Sequence, residues 1–472
     1  MPRSLRILLA TLVAVPLLAG VSRAVLGARP ASPSPRVLFV TYADLKAKTS
    51  PCGCSVPKGG LARIAGALDS LRRVHGTVVV LDGGGSFPDL PARPDLPPFV
   101  FPELARLGVD AMGVAPRDLQ FGLAFLRGEV RRAGLTMVCA NLTDRTTGRL
   151  AFPASRIVER GGRRIGVFAL LGDRFDLGPA RDSLRVEDPE GAAERAIAAL
   201  RAQGAEVIVL LSQMGRVGGE DLAAAVPGVD AVVLGYDIPV LEQGRRVGDG
   251  IASYSGDQGQ HLGLLEWTAA SASAPAAWSA AVLALGPERR GEARTLAAVQ
   301  AFEDVYNERM REEQRRLQAL ADADPEQDPV DHFVGGDVCA RCHPAEAAQW
   351  RTTAHSIAWE TLVRERKDST PECIGCHVVG YGGPGGFRTA GTTPHLVDVQ
   401  CENCHGMGTL HRSERTPLDR VGEATCVGCH TPERDPGWDY ARKLPLILHS
   451  NASGESIRIV EERRRAGYDK SH

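Results

Sequence analysis

Four short segments in the last third of the chain constrain its folding more than any other feature. They are Cys339-Ala-Arg-Cys342-His343, Cys373-Ile-Gly-Cys376-His377, Cys401-Glu-Asn-Cys404-His405 and Cys426-Val-Gly-Cys429-His430. From about Phe333 onward Gly, Pro, His and Cys rise, regular apolar periodicity fades, and little apolar material remains for a core. Such a segment needs something else to fold around. C-x-x-C-H is the attachment pattern of c-type haem. Two thiols three residues apart reach the two vinyl groups on one porphyrin edge, and the adjacent histidine is delivered under the ring to ligate iron. Two Cys₄ zinc sites or a set of disulfides would use the cysteines but leave the histidines unexplained. With 12 His in 472 residues, one such histidine has a chance of about 0.025, and four together on the order of 10⁻⁷. The expectation is four c-type haems, held by Cys339, Cys342, Cys373, Cys376, Cys401, Cys404, Cys426 and Cys429. His343, His377, His405 and His430 would be iron ligands.

Each iron has a sixth position. His332, His355, His395, His411, His449 and His472 remain in this region. An iron closed by two histidines passes electrons and binds little else, whereas an open sixth site binds small molecules.

The N-terminus reads as an export signal over residues 1–28. Met1-Pro-Arg-Ser-Leu-Arg6 is basic, Ile7 to Val21 is apolar, and Leu26-Gly-Ala28 is a small-residue cleavage site before a Pro/Ser-rich stretch. The run is short for a membrane span, and an uncleaved anchor is the alternative. The net charge of -2 argues against nucleic acid, which needs a basic face. At this length two or three domains are expected.

Residues 36–287 alternate short apolar runs with helical patterns. Strands are expected at Val37–Thr41, Thr77–Leu81, Ala111–Val114, Thr136–Ala140, Arg164–Leu171, Val207–Leu211 and Ala231–Leu234. Helices are expected at Gly60–Val74, Leu119–Ala133 and Gly191–Gln203. This is a layered α/β pattern. Residues 288–330 are charged and rich in Ala, Glu, Arg and Gln, and read as a long exposed helical linker. Residues 331–472 form the third unit, mostly α and irregular.

The stretch from about Val334 to His449 resembles the tetrahaem cytochrome c554 family of ammonia oxidisers. "CARCHPAEAAQWRTTAHSIAW" resembles its first motif, with Trp350 and His355 following the attachment site. "TTPHLVDVQCENCHGMGTLH" resembles the central block, with His395 before and His411 after, and Met407 where Pro is common. "CVGCHTPERDPGWDYARKLPLILH" resembles the last site and its trailing His449, with Trp438 at a usual Phe position. The resemblance implies that His355, His395, His411 and His449 are distal ligands. It also implies attachment outside the cytoplasmic membrane, and a haem in the family can be five-coordinate.

Val37 to Trp267 resembles the metallophosphoesterase frame of 5′-nucleotidases and UDP-sugar hydrolases. "GGLARIAGALDSL" resembles the first helix and "VVVLDGGGSF" the second metal strand. "APRDLQFG" stands at the Asn-His-Glu block, with "VCANL" after it. "GAEVIVLLSQMG" and "GVDAVVLGYD" resemble the two late strands, and "YSGDQGQHLGLLEW" the closing hairpin. That chemistry needs two divalent metals about 4 Å apart. The expected ligands are missing one by one. Asp44 is followed by Lys46 rather than His, Gly84-Gly85 replaces Gly-Asp, and Pro116-Arg117 replaces Asn-His. Gln213 and Tyr236 stand where histidines belong. Asp82 and Asp118 neighbour ligand positions, and carboxylates without histidines make a poor transition-metal site. His75 and His261 read as structural.

The loop after the first strand carries Cys52-Gly-Cys54, at the strand end where α/β folds bind ligands. It reads as a structural disulfide, a strained and easily reduced redox pair, or a soft-metal site. Lys58 and the following helix would favour thiolate, and Cys139 reads as a buried core thiol.

The expected function is an exported multihaem cytochrome carrying electrons to or from periplasmic or membrane redox proteins. One alternative is a haem-dependent oxidoreductase acting on a small nitrogen or sulfur compound at an open haem. The other is an active metallophosphohydrolase.

Overall fold

The protein is described by a computed structural model covering residues 36–51, 57–88, 93–271, 274–323, 331–432, 434–435 and 437–449, with single residues at 458 and 462. The export run, Cys52, Cys54 and His472 lie outside the described residues. Among the described residues no helix is long and apolar enough to cross a membrane.

Among the described residues, 36–284 are built from thirteen strands and five α-helices. In chain order the strands are β1 (Arg36–Tyr42), β2 (Val78–Asp82), β3 (Ala111–Met112), β4 (Leu142–Asp144), β5 (Ser155–Arg160), β6 (Arg163–Leu171) and β7 (Leu184–Val186). They continue with β8 (Val207–Gln213), β9 (Ala231–Leu234), β10 (Arg245–Val247), β11 (Gly250–Ser253), β12 (His261–Thr268) and β13 (Ala277–Ala284). The helices are α1 (Leu61–Val74), α2 (Leu96–Arg106), α3 (Leu123–Ala133), α4 (Pro189–Ala202) and α5 (Gly215–Ala225).

Two sheets stack face to face. One has the order β13-β12-β1-β2-β3 and the other β10-β11-β9-β8-β6-β5. Strand alternation assigns each residue to a layer. In β1, Val37 and Phe39 join Val79 and Leu81 of β2 in the core between the sheets, against Ile165, Val167, Val209, Leu211 and Val233. Leu38, Val40 and Tyr42 face the other way, into the layer of α1, α2 and α3. The helices α4 and α5 cover the outside of the second sheet through Ala193, Ile197, Leu200 and Leu222. Each large apolar side chain buried this way contributes about 1.5–3 kcal/mol. The result is a four-layer α/β sandwich.

The expected strand Thr136–Ala140 is a correction. This segment crosses from one sheet to the other and pairs too briefly with either to form a strand. Val138 N–H donates to Met112 O at 2.9 Å on the first sheet, and Ala140 N–H donates to Ala169 O at 2.8 Å on the second. The sequence reading also missed α2, whose prolines argue against a helix. Pro97 and Pro98 fall in its first turn, where proline is tolerated, and only Pro102 is interior.

Residues 293–323 form one helix, α6 (Ala293–Ala323). One stripe of its first half is buried, which corrects the reading as an exposed linker. Thr295, Val299, Glu303, Tyr306 and Asn307 are buried along one stripe at helical spacing. Phe302 stacks on Phe99 of α2 at 4.3 Å, and the Arg93 guanidinium sits 3.4 Å over the Tyr306 ring. The same stripe reaches the last domain. Lys367 pairs with Glu303, Asn307 donates to Arg366 O at 2.5 Å, and Tyr306 Oη donates to Glu372 Oε2 at 3.4 Å.

Residues 331–449 fold as short helices and turns around a small apolar cluster of Leu362, Ile374, Val378, Val379, Phe387 and Leu396. Buried polar groups supply the rest. The Glu402 carboxylate accepts from Val334, Gly335 and Gly408 N–H groups at 2.8–3.1 Å. The Trp350 indole donates to Val399 O at 2.8 Å.

Candidate functional site

Each C-x-x-C-H sequence is wound as about one helical turn. His343 N–H donates to Cys339 O at 2.9 Å and His430 N–H to Cys426 O at 3.0 Å. Residues Cys401–His405 are helical throughout. This winding puts the two thiols and the histidine of each motif on one side.

The structure pairs three attachment histidines with three distant ones. The ring centroids of His343 and His411 are 6.4 Å apart, those of His355 and His430 are 6.2 Å apart, and those of His405 and His449 are 6.2 Å apart. Two imidazoles holding one ion from opposite sides, each with a nitrogen about 2 Å from it, put their ring centres roughly 6 Å apart. The spacing therefore fits a haem iron between each pair. It is too wide for direct ring stacking. Among the described residues no histidine ring pairs with His377 in this way. His395 is exposed at the surface, with its backbone carbonyl taken by Gln400 Nε2 at 2.8 Å.

Ligation requires neutral imidazole. Burial, followed by the neighbouring His430 and His377, pulls His355 down to about 4. Burial also lowers His377 and His405, against the Ala358 and Asp419 backbone contacts that raise them. Outer nitrogens are fixed by acceptors. His377 Nδ1 lies 2.7 Å from Ala358 O, His411 Nδ1 lies 2.8 Å from Thr416 O, and His449 Nδ1 lies 3.2 Å from Gln349 Oε1. His430 Nδ1 is 2.9 Å from Asp435 Oδ2, and Trp438 stacks on the same ring at 4.1 Å. Among the described residues the buried Trp438 indole N–H finds no acceptor. A haem with its propionates supplies an acceptor of the kind that donor lacks.

The motifs touch in a definite order. Cys339 lies beside Cys401, Cys376 lies beside Cys429, and Cys404 is close to Cys426. The sequence order one, two, three, four thus becomes one, three, four, two in space. The second motif ends the row and lies against α6, because Glu372 beside Cys373 receives the Tyr306 hydroxyl.

The family model described as "Cytochrome c554 and c-prime" matches residues 338–406. This part of the chain is a cytochrome c554-like domain, and c-type haem is its implied cofactor. It is 35% identical over 118 residues to cytochrome c-554 of Nitrosomonas europaea, a match covering 22% of this chain and 49% of that protein. The N-terminal region is 26% identical over 203 residues to a 5′-nucleotidase of Vibrio cholerae, covering 40% of this chain and 35% of that protein. The chain therefore spans about half and about a third of the length of these two relatives. The crystal structure of a 5′-nucleotidase precursor from Thermus thermophilus superposes with a TM-score of 0.51 at 22% identity, covering 57% of this chain and 59% of that one. The sandwich is a 5′-nucleotidase-like fold.

At the mouth of that sandwich the surviving carboxylates are occupied by the protein itself. Asp82 Oδ1 accepts from Gly84 N–H at 2.8 Å, and its Oδ2 accepts from Ser86 Oγ at 2.6 Å. Asp118 accepts from the Gly85, Phe87 and Ala115 N–H groups at 2.9–3.0 Å. Asp44 Oδ2 accepts from Tyr236 N–H at 2.6 Å, and its Oδ1 faces Arg117 Nε at 3.9 Å. Gln213 Nε2 donates to Gly83 O at 3.2 Å, and Lys46 pairs with Asp257 at 2.8 Å. Burial raises all three carboxyls, Asp44 to about 6 and Asp82 to about 7. Gly84 and Gly85 have φ of 100° and 81°, and Cβ atoms there would meet the Gly113 backbone at 3.1 Å and Asp44 Oδ1 at 2.3 Å. Among the described residues no three His, Cys, Asp or Glu side chains converge to hold a metal.

Backbone strain persists at this mouth. Asp44, Lys46, Ala47, Tyr236, Asp237 and Gln258 all have positive φ, between 50° and 71°. His75 sits 3.9 Å from Glu266 at the sheet edge. His261, half-buried on β12, is lowered by burial and by Lys58. Cys139 is fully buried in the core, and burial pushes its thiol up to about 12. The Cys52/Cys54 loop lies outside the described residues, but its near flank is tied down. Thr49 Oγ1 donates to Glu303 Oε1 at 3.0 Å, and Thr49 O accepts from Leu61 N–H at 3.0 Å.

Proposed function

We propose that this chain is an exported, tetrahaem c-type cytochrome that carries electrons, with a phosphoesterase frame that has lost its metal chemistry. The observation that carries the reading is the set of three histidine pairs with iron-sized gaps. When bound, haem would supply reversible one-electron chemistry. The protein's own part is to hold each ring by two thiols and the following histidine, and to close three sixth positions with His411, His355 and His449. It also lines the four motifs in one contiguous row. His395, considered as a distal ligand from sequence, has no such place in this reading. Periplasmic or membrane redox proteins are the partners, and residues 1–28 serve for export or as an anchor.

The second motif favours a further reading. His377 has no partner imidazole among the described residues, so a haem there keeps a free side for a small nitrogen or sulfur oxyanion. The mouth of the sandwich, with Asp82 and Asp118 spent on backbone amides, supports docking or presentation rather than phosphate hydrolysis. The Cys52/Cys54 pair is assigned to reversible redox chemistry. Its support is the tight Cys-x-Cys spacing, which makes a disulfide strained and easily reduced, with Lys58 nearby to favour thiolate.

Haem content with spin state tests the whole reading. Four haems per chain, three of them low-spin and one high-spin and shifted by nitrite or cyanide, are expected. Fewer than four covalent haems would end it. Uniformly low-spin iron would end the open-site reading alone. Thiol labelling of Cys52 and Cys54 before and after reduction checks the redox pair, and identical labelling in both states removes it.

A further inference from the structure

The four outer-nitrogen contacts are not equivalent. At His377, His411 and His449 the acceptor is a neutral carbonyl or amide oxygen. At His430 it is the Asp435 carboxylate, 2.9 Å away. A carboxylate accepting the outer N–H of a ligating histidine pushes negative charge onto the ring and stabilises the oxidised metal. The residue immediately before it has the opposite charge and turns the opposite way. Arg434 donates to Glu372 O at 2.7 Å, beside the second motif. Its guanidinium therefore sits beside the second motif, against the residue that precedes Cys373. The two motifs are adjacent, since Arg434, five residues after Cys429, reaches Glu372 beside Cys373.

We propose that Arg434 and Asp435 together split the potentials of two neighbouring haems. The haem held by His430 becomes the most reducing of the four, and the haem held by His377 is made easier to reduce. Asp435 acts as a positioning residue through His430, and Trp438 keeps that ring in place from its other face. An electron on the haem held by His430 would then pass downhill to the adjoining second motif, the position without a partner histidine among the described residues. The inference rests on the tetrahaem reading above, and haem counting keeps the two separable.

The test is a potentiometric titration of the intact, haem-loaded chain, followed by visible absorption and low-temperature electron paramagnetic resonance. D435N should raise the lowest midpoint by on the order of tenfold in the redox equilibrium, ~59 mV for one electron, and leave the others in place. D435E should keep the wild-type midpoint. R434Q should lower the midpoint of the high-spin haem, by less, because Arg434 is exposed and screened. Four haems with every midpoint unmoved in D435N overturn the inference while leaving the tetrahaem reading intact. Shifts of the same sign in D435N and R434Q overturn it as well. If D435N loses one haem and D435E keeps all four, Asp435 serves attachment instead, and the inference falls. Fewer than four haems in the wild-type chain would instead defeat the reading beneath it.

Discussion

Replacing Asp82 by Asn should stabilise the N-terminal sandwich at high pH and not at low pH. Asp82 ends β2 with no accessible surface, and its burial is the largest cause lifting its pKa from 3.8 to about 7. Asp118 and Asp44 nearby push the same way, while Ser86 and the Gly84 amide oppose. The folded state therefore binds the proton more tightly than the unfolded chain. Between pH 3.8 and about 7 the native form carries the extra proton, so stability falls as pH rises through this window and is flat beyond it. A rise from 3.8 to about 7 corresponds to ~4 kcal/mol of destabilisation once the group is forced to ionise. At pH 5 less than half of that has appeared.

Asparagine has the right shape to inherit both contacts. Its oxygen can accept from Gly84 N–H, and its amide can donate to Ser86 Oγ, the present donor to Asp82. One amide hydrogen is left unpaired, at about 1–3 kcal/mol. That cost is the same at every pH, so it cancels from the comparison. The stability difference between D82N and wild type should therefore become ~3 kcal/mol more favourable from pH 5 to pH 8. The measurement is guanidinium unfolding of the intact chain, followed by far-ultraviolet circular dichroism at both pH values with chelator present. A difference of equal size at pH 5 and pH 8 would falsify the claim that Asp82 is a buried, uncompensated carboxyl. Wild-type stabilisation by manganese that disappears in D82N would show a metal ligand instead, and would revive the phosphohydrolase reading.

Two further outcomes follow from the packing. H355A, H411A and H449A should each turn one low-spin haem high-spin, whereas H395A should leave the spectrum unchanged; a spin change in H395A, or none in the other three, refutes the pairing by ring distance. Y306A removes a buried ring, the Arg93 contact above it and the link to Glu372. It should cost about 3–5 kcal/mol and speed trypsin cleavage across the joint, and digestion at the wild-type rate counts against a fixed joint.

The sandwich was legible because its strands are buried on both faces and read as unbroken apolar runs, such as Val207–Leu211 and Ala231–Leu234. Their observed limits differ by at most two residues, or coincide. The segment 136–140 looks equally apolar, and only the three-dimensional crossing between sheets prevents it from being a strand. The C-x-x-C-H motifs stood out in the sequence because the covalent chemistry expected of them demands a fixed spacing. The pairing of distal histidines was not, since nothing local tells His411 to return to the first motif rather than the third. The buried stripe of α6 was hidden for a different reason. Thr295, Glu303 and Asn307 are polar, so a hydrophobic count sees an exposed helix where the structure has a hydrogen-bonded seam.

That seam explains how two dissimilar parts are held at one angle. Among the described residues the last domain has only six buried apolar residues in its cluster, too few to form a broad greasy interface as well as a core. Charged groups take over the task. Glu303 is buried between Thr49 on the sandwich side and Lys367 on the haem side. A buried carboxylate with partners on both sides gains little over an apolar contact while intact, but removing either partner strands a charge and costs several kcal/mol. Such a joint tolerates one geometry and penalises slippage, as an apolar face does not. It also fixes which motif meets the sandwich. Of the four, the one anchored through Lys367, Glu372 and Asn307 is the second, whose histidine has no partner ring among the described residues. The same helix therefore links Thr49, beside the strained mouth of the sandwich, to the motif whose His377 has no partner ring among the described residues.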